Sequence, residues 1–166
     1  LGEFPTEGEN TVIPLHLIEE AVERKVKPTG SVVWGLDVAR FGEDRTALCK
    51  RRGNRLVEKI KWWRNKDTSQ IRGLIVREWE DTPDEDKPDW VVVDSIGYGA
   101  GVVDQLRDAG LPARGCNVAE SATASDKYMR LRDELWFKAR DWFQERDGSI
   151  VRDDMLIGEL STVLYE

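Results

Sequence analysis

The sequence has a single histidine, His16, and only two cysteines, Cys49 and Cys116. With that one histidine in a segment that reads as an amphipathic surface helix, histidine-based nucleophile triads and a histidine- or thiolate-rich zinc site have almost no material. The cysteines stand far apart without CxxC spacing, which fits buried apolar positions in a reducing compartment better than disulfide or zinc chemistry. No apolar stretch approaches the roughly 20 residues that span a bilayer, and no signal-peptide pattern is visible, so no membrane association is expected. Internal repeats and low-complexity tracts are also missing. Positive charge is in deficit: 25 Lys and Arg against 32 Asp and Glu leave a net charge of −7. A uniformly basic nucleic-acid binder is thereby excluded, although a local basic patch is not.

What is present suits one globular domain. A chain of 166 residues, 40% hydrophobic and 34% charged, can bury a core without disulfides. With histidine and thiol chemistry set aside, any catalysis must rest on carboxylates.

The stretch "LGEFPTEGENTVIPLHLIEEAVERKVKPTG" predicts a linker and a helix opening at Pro14, with Leu15, Ile18 and Val22 on one face and His16 at the surface. Three short runs, 31–39, 45–51 and 55–63, are separated by Gly-Glu-Asp and Arg-Gly-Asn and predict an antiparallel meander. Asp67, Thr68 or Ser69 is placed to cap a helix carrying Ile71, Leu74, Ile75 and Trp79, which "TPDEDKP" then breaks. "DWVVVD" lacks alternation and predicts a strand covered on both faces. "SIGYGAG" leads into a helix with Val102, Val103 and Leu106, and "LPARGCNV" suggests a further strand. A longer helix is expected from about Ser125 to Arg146, with Leu131, Leu135, Ala139 and Trp142 in one stripe, followed by a strand near Ile150 and a short helix. This order predicts an α/β fold, a mixed sheet with helices on its faces.

Two aspartates stand out. Asp37 interrupts an apolar strand, and Asp94 ends the first strand after the crossover helix; in a sheet of this order the two strands can be neighbours. Paired carboxylates repel unless a divalent cation neutralises them, and Mg²⁺ or Mn²⁺ prefers such oxygen ligands. Two such ions about 4 Å apart can hydrolyse a phosphodiester without histidine. The bland alternative for each aspartate is a turn cap, and Glu43 and Asp44 read as turn residues, with an auxiliary metal role as a second reading for Asp44. Gly97, Gly99 and Gly101 do not form GxGxxG, and there is no lysine-bearing phosphate loop, so they read as a tight turn that starts a helix.

Lys50, Arg51 and Arg52, with Lys59, Lys61, Arg64 and Lys66 nearby, form either a ribbon that touches DNA phosphates or a solvated, charge-protected edge. Among the seven tryptophans, Trp34, Trp79, Trp136 and Trp142 read as core. Trp62 and Trp63 leave one ring free for exposure.

Taken together, "GLDVARFGEDRTAL" and "VVVDSIGYGAGVVDQLRDAG", with "KYMRLRDELWFKARDWF" downstream and "LGEFP" upstream, resemble the C-terminal nuclease domain of tailed-phage terminase large subunits over nearly the whole chain. The resemblance implies an RNase H-like mixed β-sheet over residues 31–166, with residues 1–30 as the linker and helix that follow an N-terminal ATPase domain. It implies a Mg²⁺- or Mn²⁺-dependent endonuclease that cuts concatemeric double-stranded viral DNA during packaging, in the cytoplasm of an infected or lysogenic bacterial host. Asp37 and Asp94 match the first and second metal-binding, catalytic acids. The ATPase domain, the small terminase subunit and the portal are the implied partners.

The family's third acid lies in a late Ser-Pro-Asp and Ala-Asp-Ala type segment, which this sequence does not reach by Glu166. The expectation is therefore a C-terminally truncated domain with an incomplete metal site and weak activity. Asp153 and Asp154 are substitutes by charge, but they precede Met155, Leu156 and Ile157, where aspartate caps a helix. A second reading is a non-catalytic module for DNA grip or for docking to portal and ATPase. A third, an actin-like nucleotide-binding half, is disfavoured because Ala39 replaces the glycine of its Asp-x-Gly-Thr/Ser pattern.

Overall fold

The computed structural model describes residues 10–39 and 44–165. The "LGEFP" strip and the turn residues Gly42 and Glu43 lie outside the described residues. Within them the elements are α1 (Leu15–Glu23), β1 (Val32–Asp37), β2 (Thr46–Arg52), β3 (Arg55–Leu56), β4 (Lys61–Trp63), α2 (Thr68–Glu80), β5 (Trp90–Asp94), α3 (Gly99–Asp108), β6 (Ala113–Cys116), α4 (Leu131–Gln144) and α5 (Asp154–Ser161). The sheet runs β3-β2-β1-β5-β6, with β4 also paired to β2. β1, β5 and β6 are mutually parallel, whereas β2 is antiparallel to β1, β3 and β4. This is a mixed, RNase H-like sheet flanked by helices. The third predicted run is split: β3 and β4 pair with opposite ends of β2.

Strand alternation builds the two faces. Val32, Trp34 and Leu36 of β1, Leu48 of β2, and Val91 and Val93 of β5 point to one side. There they pack with Ile71 and Ile75 of α2 and with Val102, Val103 and Leu106 of α3. Fully burying each such side chain is worth roughly 1.5–3 kcal/mol, so this layer dominates the stability of the central strands. Asp67 starts α2 by accepting a hydrogen bond from the Gln70 N–H at 2.8 Å, and the Gln70 side chain accepts from the Asp67 N–H at 3.0 Å. That reciprocal pair satisfies two amides with no partner in the helix ladder.

The other side of the sheet carries a second core of Leu17, Ile18 and Ala21 from α1, Phe143 from α4, Ile150, and Ile157 from α5. Residues 12–23, with the expected helix, pack as part of the domain: Ile13, Ile18 and Ala21 are fully buried, and the Val12 N–H bonds the Val163 carbonyl at 2.8 Å. This second layer covers the sheet incompletely. Val92 is only half-buried, so β5 is not equally covered on both faces.

Three expectations for the C-terminal third change. α4 starts at Leu131, six residues later than the apolar spacing suggested, because residues 117–130 form turns and a bridge between Ser121 and Arg130. Its inward side is Phe143 with Trp136, Ala139 and Trp142, while Leu135 is exposed. The strand expected near Ile150 is reduced to a bridge between Arg55 and Ser149.

Candidate metal centre and its cleft

Asp37 is the last residue of β1 and Asp94 the last of β5. These strands are parallel neighbours, with Leu36 opposite Val93, so each aspartate sits one step past that pair at the carboxyl ends of the central strands. Open α/β sheets place ligands beyond such ends. The structure thus brings together the two acids singled out in the sequence.

Their proximity has an electrostatic signature. The Asp37 carboxyl is raised above its ordinary value, first by desolvation and then by the negative charges of Asp94 and Asp44, while Arg132 and the Val38 N–H oppose the rise. One Asp94 oxygen accepts from the Ile96 N–H at 3.1 Å. Both aspartates therefore also fit the turn-end role that was the bland alternative, but a turn role does not require their charges to converge.

The turn after Asp94 is shaped by glycine. Gly97 has φ +61°, in the left-handed region. A Cβ on Gly99 would stand 1.7 Å from the Asp94 carbonyl oxygen. The glycines act as the predicted turn into α3, and Gly99 also sets how closely that helix approaches Asp94.

The acids open into a cleft of about 910 Å³ between the less covered sheet face and α4 and α5. Asp44, Asp153 and Glu159 reach its lining alongside Asp37 and Asp94. Asp153 caps α5, accepting from the Met155 and Leu156 N–H groups at 3.2 and 3.4 Å. Among the described residues no three His, Cys, Asp or Glu side chains converge tightly enough to hold a metal ion. Two carboxylates do fit Mg²⁺, which keeps several waters and is commonly held by one or two carboxylates plus substrate phosphate.

The basic ribbon is dispersed by alternation. Lys50 and Arg52 point to the α2 side and Arg51 to the other. Lys50 is only 8% exposed; its Nζ lies 2.7 Å from Glu78 and 3.0 Å from Glu58 and 4.5 Å from the centroid of the Trp34 ring. Lys61 pairs with the same Glu78 at 2.6 Å, and Arg52 with Asp86 at 2.6 Å. Lys50, Arg52 and Lys61 thus each face an intramolecular carboxylate, which offsets their charge on the α2 side. Arg51 and Lys59 are exposed.

The residues that sequence reasoning missed come from distant segments. Arg132, at the start of α4, is the counter-charge near Asp37. Glu134 is buried, accepting from the Thr123 and Ala124 N–H groups at 2.6 and 3.2 Å and pairing with Lys138 at 2.6 Å. Arg45 of the cleft is bonded to Glu159 and to the Met155 sulfur. Trp62 is 47% exposed and lines the cleft, whereas Trp63 packs on the core. Trp90, not singled out in the sequence, is also exposed. The register that sets Ala47 opposite both Asp37 and Trp62 puts Trp62 on the same face as Asp37.

No protein-family model and no curated protein matches the chain. Solved structures do. A point mutant of the nuclease domain of the large terminase subunit gp2 of bacterial virus Sf6, with manganese and β-thujaplicinol, superposes with TM-score 0.74 at 18% identity, covering 94% of this chain and 83% of that one. The unsubstituted Sf6 domain gives 0.70 at 18% identity with the same coverage. The large terminase nuclease of thermophilic phage G20c with bound magnesium gives 0.70 at 15% identity, covering 96% of this chain and 83% of that one. The chain has the fold of phage large-terminase nuclease domains.

Proposed function

We propose that this chain is a divalent-metal-dependent DNA endonuclease domain of a phage packaging motor, cutting concatemeric double-stranded DNA by two-metal-type phosphodiester hydrolysis. The observation that carries the reading is the convergence of Asp37 and Asp94 at the ends of two parallel strands, at an open cleft. Likeness to terminase nucleases, two of them solved with manganese or magnesium, supports it. Asp37 and Asp94 would hold Mg²⁺ or Mn²⁺, with Asp44 as an auxiliary acid. When bound, such ions supply Lewis-acid polarisation of the phosphodiester and a more acidic water. Arg132 balances negative charge beside Asp37, and Gly99 lets α3 approach closely enough to fix the Asp94 backbone. On this reading the protein works in the host cytoplasm with the ATPase domain, the small terminase subunit and the portal.

A second reading, a DNA-grip or docking module without catalysis, is favoured by one observation: no third ligand joins the pair among the described residues. Calorimetric Mn²⁺ titration with plasmid nicking, on wild type, Asp37→Ala and Asp94→Ala, separates the two. Binding and nicking that vanish together in the variants establish the nuclease. Binding without nicking by the wild type favours the module, and nicking retained in both variants removes the carboxylate mechanism.

A further inference from the structure

Trp62 stands in line with the candidate acids. Ala47 of β2 is paired with Asp37 on one side and with Trp62 on the other. Directly paired residues share a sheet face, so Trp62, Ala47 and Asp37 form one row on the cleft side, its ends two strand spacings or roughly 10 Å apart. Alanine contributes only a methyl group to the floor between them. The indole is 47% exposed. The guanidinium groups of Arg45 and Arg64 lie 5.4 and 5.9 Å from its centroid, and all three side chains line the cleft.

We propose that Trp62 and Arg64, with Arg45 held beside the indole by its pairing with Glu159, form a stacking platform for one unpaired nucleotide of a DNA strand, next to the phosphate that lies over Asp37 and Asp94. An indole face accepts any base by stacking, without sequence preference, and a guanidinium such as that of Arg64 both stacks and pairs with phosphate. Bases in an intact duplex are already stacked, so the platform discriminates unpaired from paired strands. The acids of the cleft repel phosphate, so the strand seats only with a divalent cation present. The proposal relies on the nuclease reading for where the phosphate lies, not for the stacking.

The test is fluorescence anisotropy of a labelled short oligothymidylate in Ca²⁺, with a blunt duplex of equal length beside it, on wild type and on Trp62→Ala, Trp62→Leu and Trp62→Phe. Alanine and leucine should weaken single-strand binding roughly tenfold, as loss of one stacked base does. Phenylalanine should retain most of it, and duplex binding should be unchanged. Wild-type affinity in the leucine variant, an equal loss on duplex, or no oligonucleotide binding by the wild type overturns the platform. Mn²⁺-dependent plasmid nicking on the same proteins and on Asp37→Asn separates the two ideas. Nicking that depends on Asp37 while oligonucleotide affinity ignores Trp62 overturns the platform alone. Oligonucleotide affinity that depends on Trp62 without any nicking overturns the nuclease alone.

Discussion

Desolvation and then the charge of Asp94, on the adjacent parallel strand, raise the Asp37 carboxyl above its ordinary value, each residue standing one step beyond the Leu36–Val93 pair. The strain between these carboxylates is what a cation would relieve, and it generates the first expectation.

Asp37→Asn and Asp94→Asn should each lower Mn²⁺ affinity by more than the roughly 10- to 100-fold typical of outer-shell changes. Folding should persist, because both residues stand at strand ends outside the two apolar cores. Calorimetry gives the affinity, and circular dichroism of the same samples gives the fold.

Gly99→Ala should disturb the site from behind. Its Cβ would meet the Asp94 carbonyl oxygen at 1.7 Å, so the β5–α3 turn must shift, at a cost of about 2–3 kcal/mol, with weaker Mn²⁺ binding. Gly101→Ala adds a methyl group with nothing within 4 Å and should stabilise α3 by about 0.5–1 kcal/mol. Urea denaturation of the pair checks both signs.

Lys50→Ala should destabilise the fold by about 2–3 kcal/mol, less than a fully broken buried ion pair because Lys61 still faces Glu78. Burial alone would raise the Glu78 carboxyl, but hydrogen bonds from Lys50 and Lys61 outweigh it and hold the group below its ordinary value. DNA affinity of the folded variant should match wild type, since Lys50 faces away from the cleft. A weaker DNA complex at unchanged stability would restore it as a phosphate contact.

Glu134 gives a pH window. The Lys138 hydrogen bond, helped by the Ala124 and Thr123 amides and opposed by desolvation, lowers its carboxyl from 4.5 to about 2. A depressed acid stabilises the folded state above its unfolded pKa and loses that contribution as pH falls through its folded one. The 117–130 segment should therefore loosen between about pH 4.5 and 2. Hydrogen exchange at Thr123 and Ala124 should accelerate over that interval, and Glu134→Gln should flatten the dependence.

Much of the architecture was legible in local pattern. Pro14, Asp67 and Asp153 marked helix starts because a ring-fixed φ or a side-chain oxygen acts on its own neighbours. The alternation in 31–37 marked β1 because successive residues of a strand face opposite sides. Pattern misled where a residue's partner lies far away: Leu135 fits an apolar stripe, yet nothing in its own helix reveals that the facing sheet is open there.

The sequence by itself determined most element types and the two aspartates at strand ends, since these follow from residue type and nearest-neighbour spacing. Only the tertiary structure decided that Lys50 is buried between Glu58 and Glu78, that Glu134 pins a segment ten residues upstream, that residues 12–23 complete the second core, and that Trp62 shares a row with Asp37. Register and burial arise from pairing between segments distant in the chain, and the charge of a side chain says nothing of which distant partner will neutralise it.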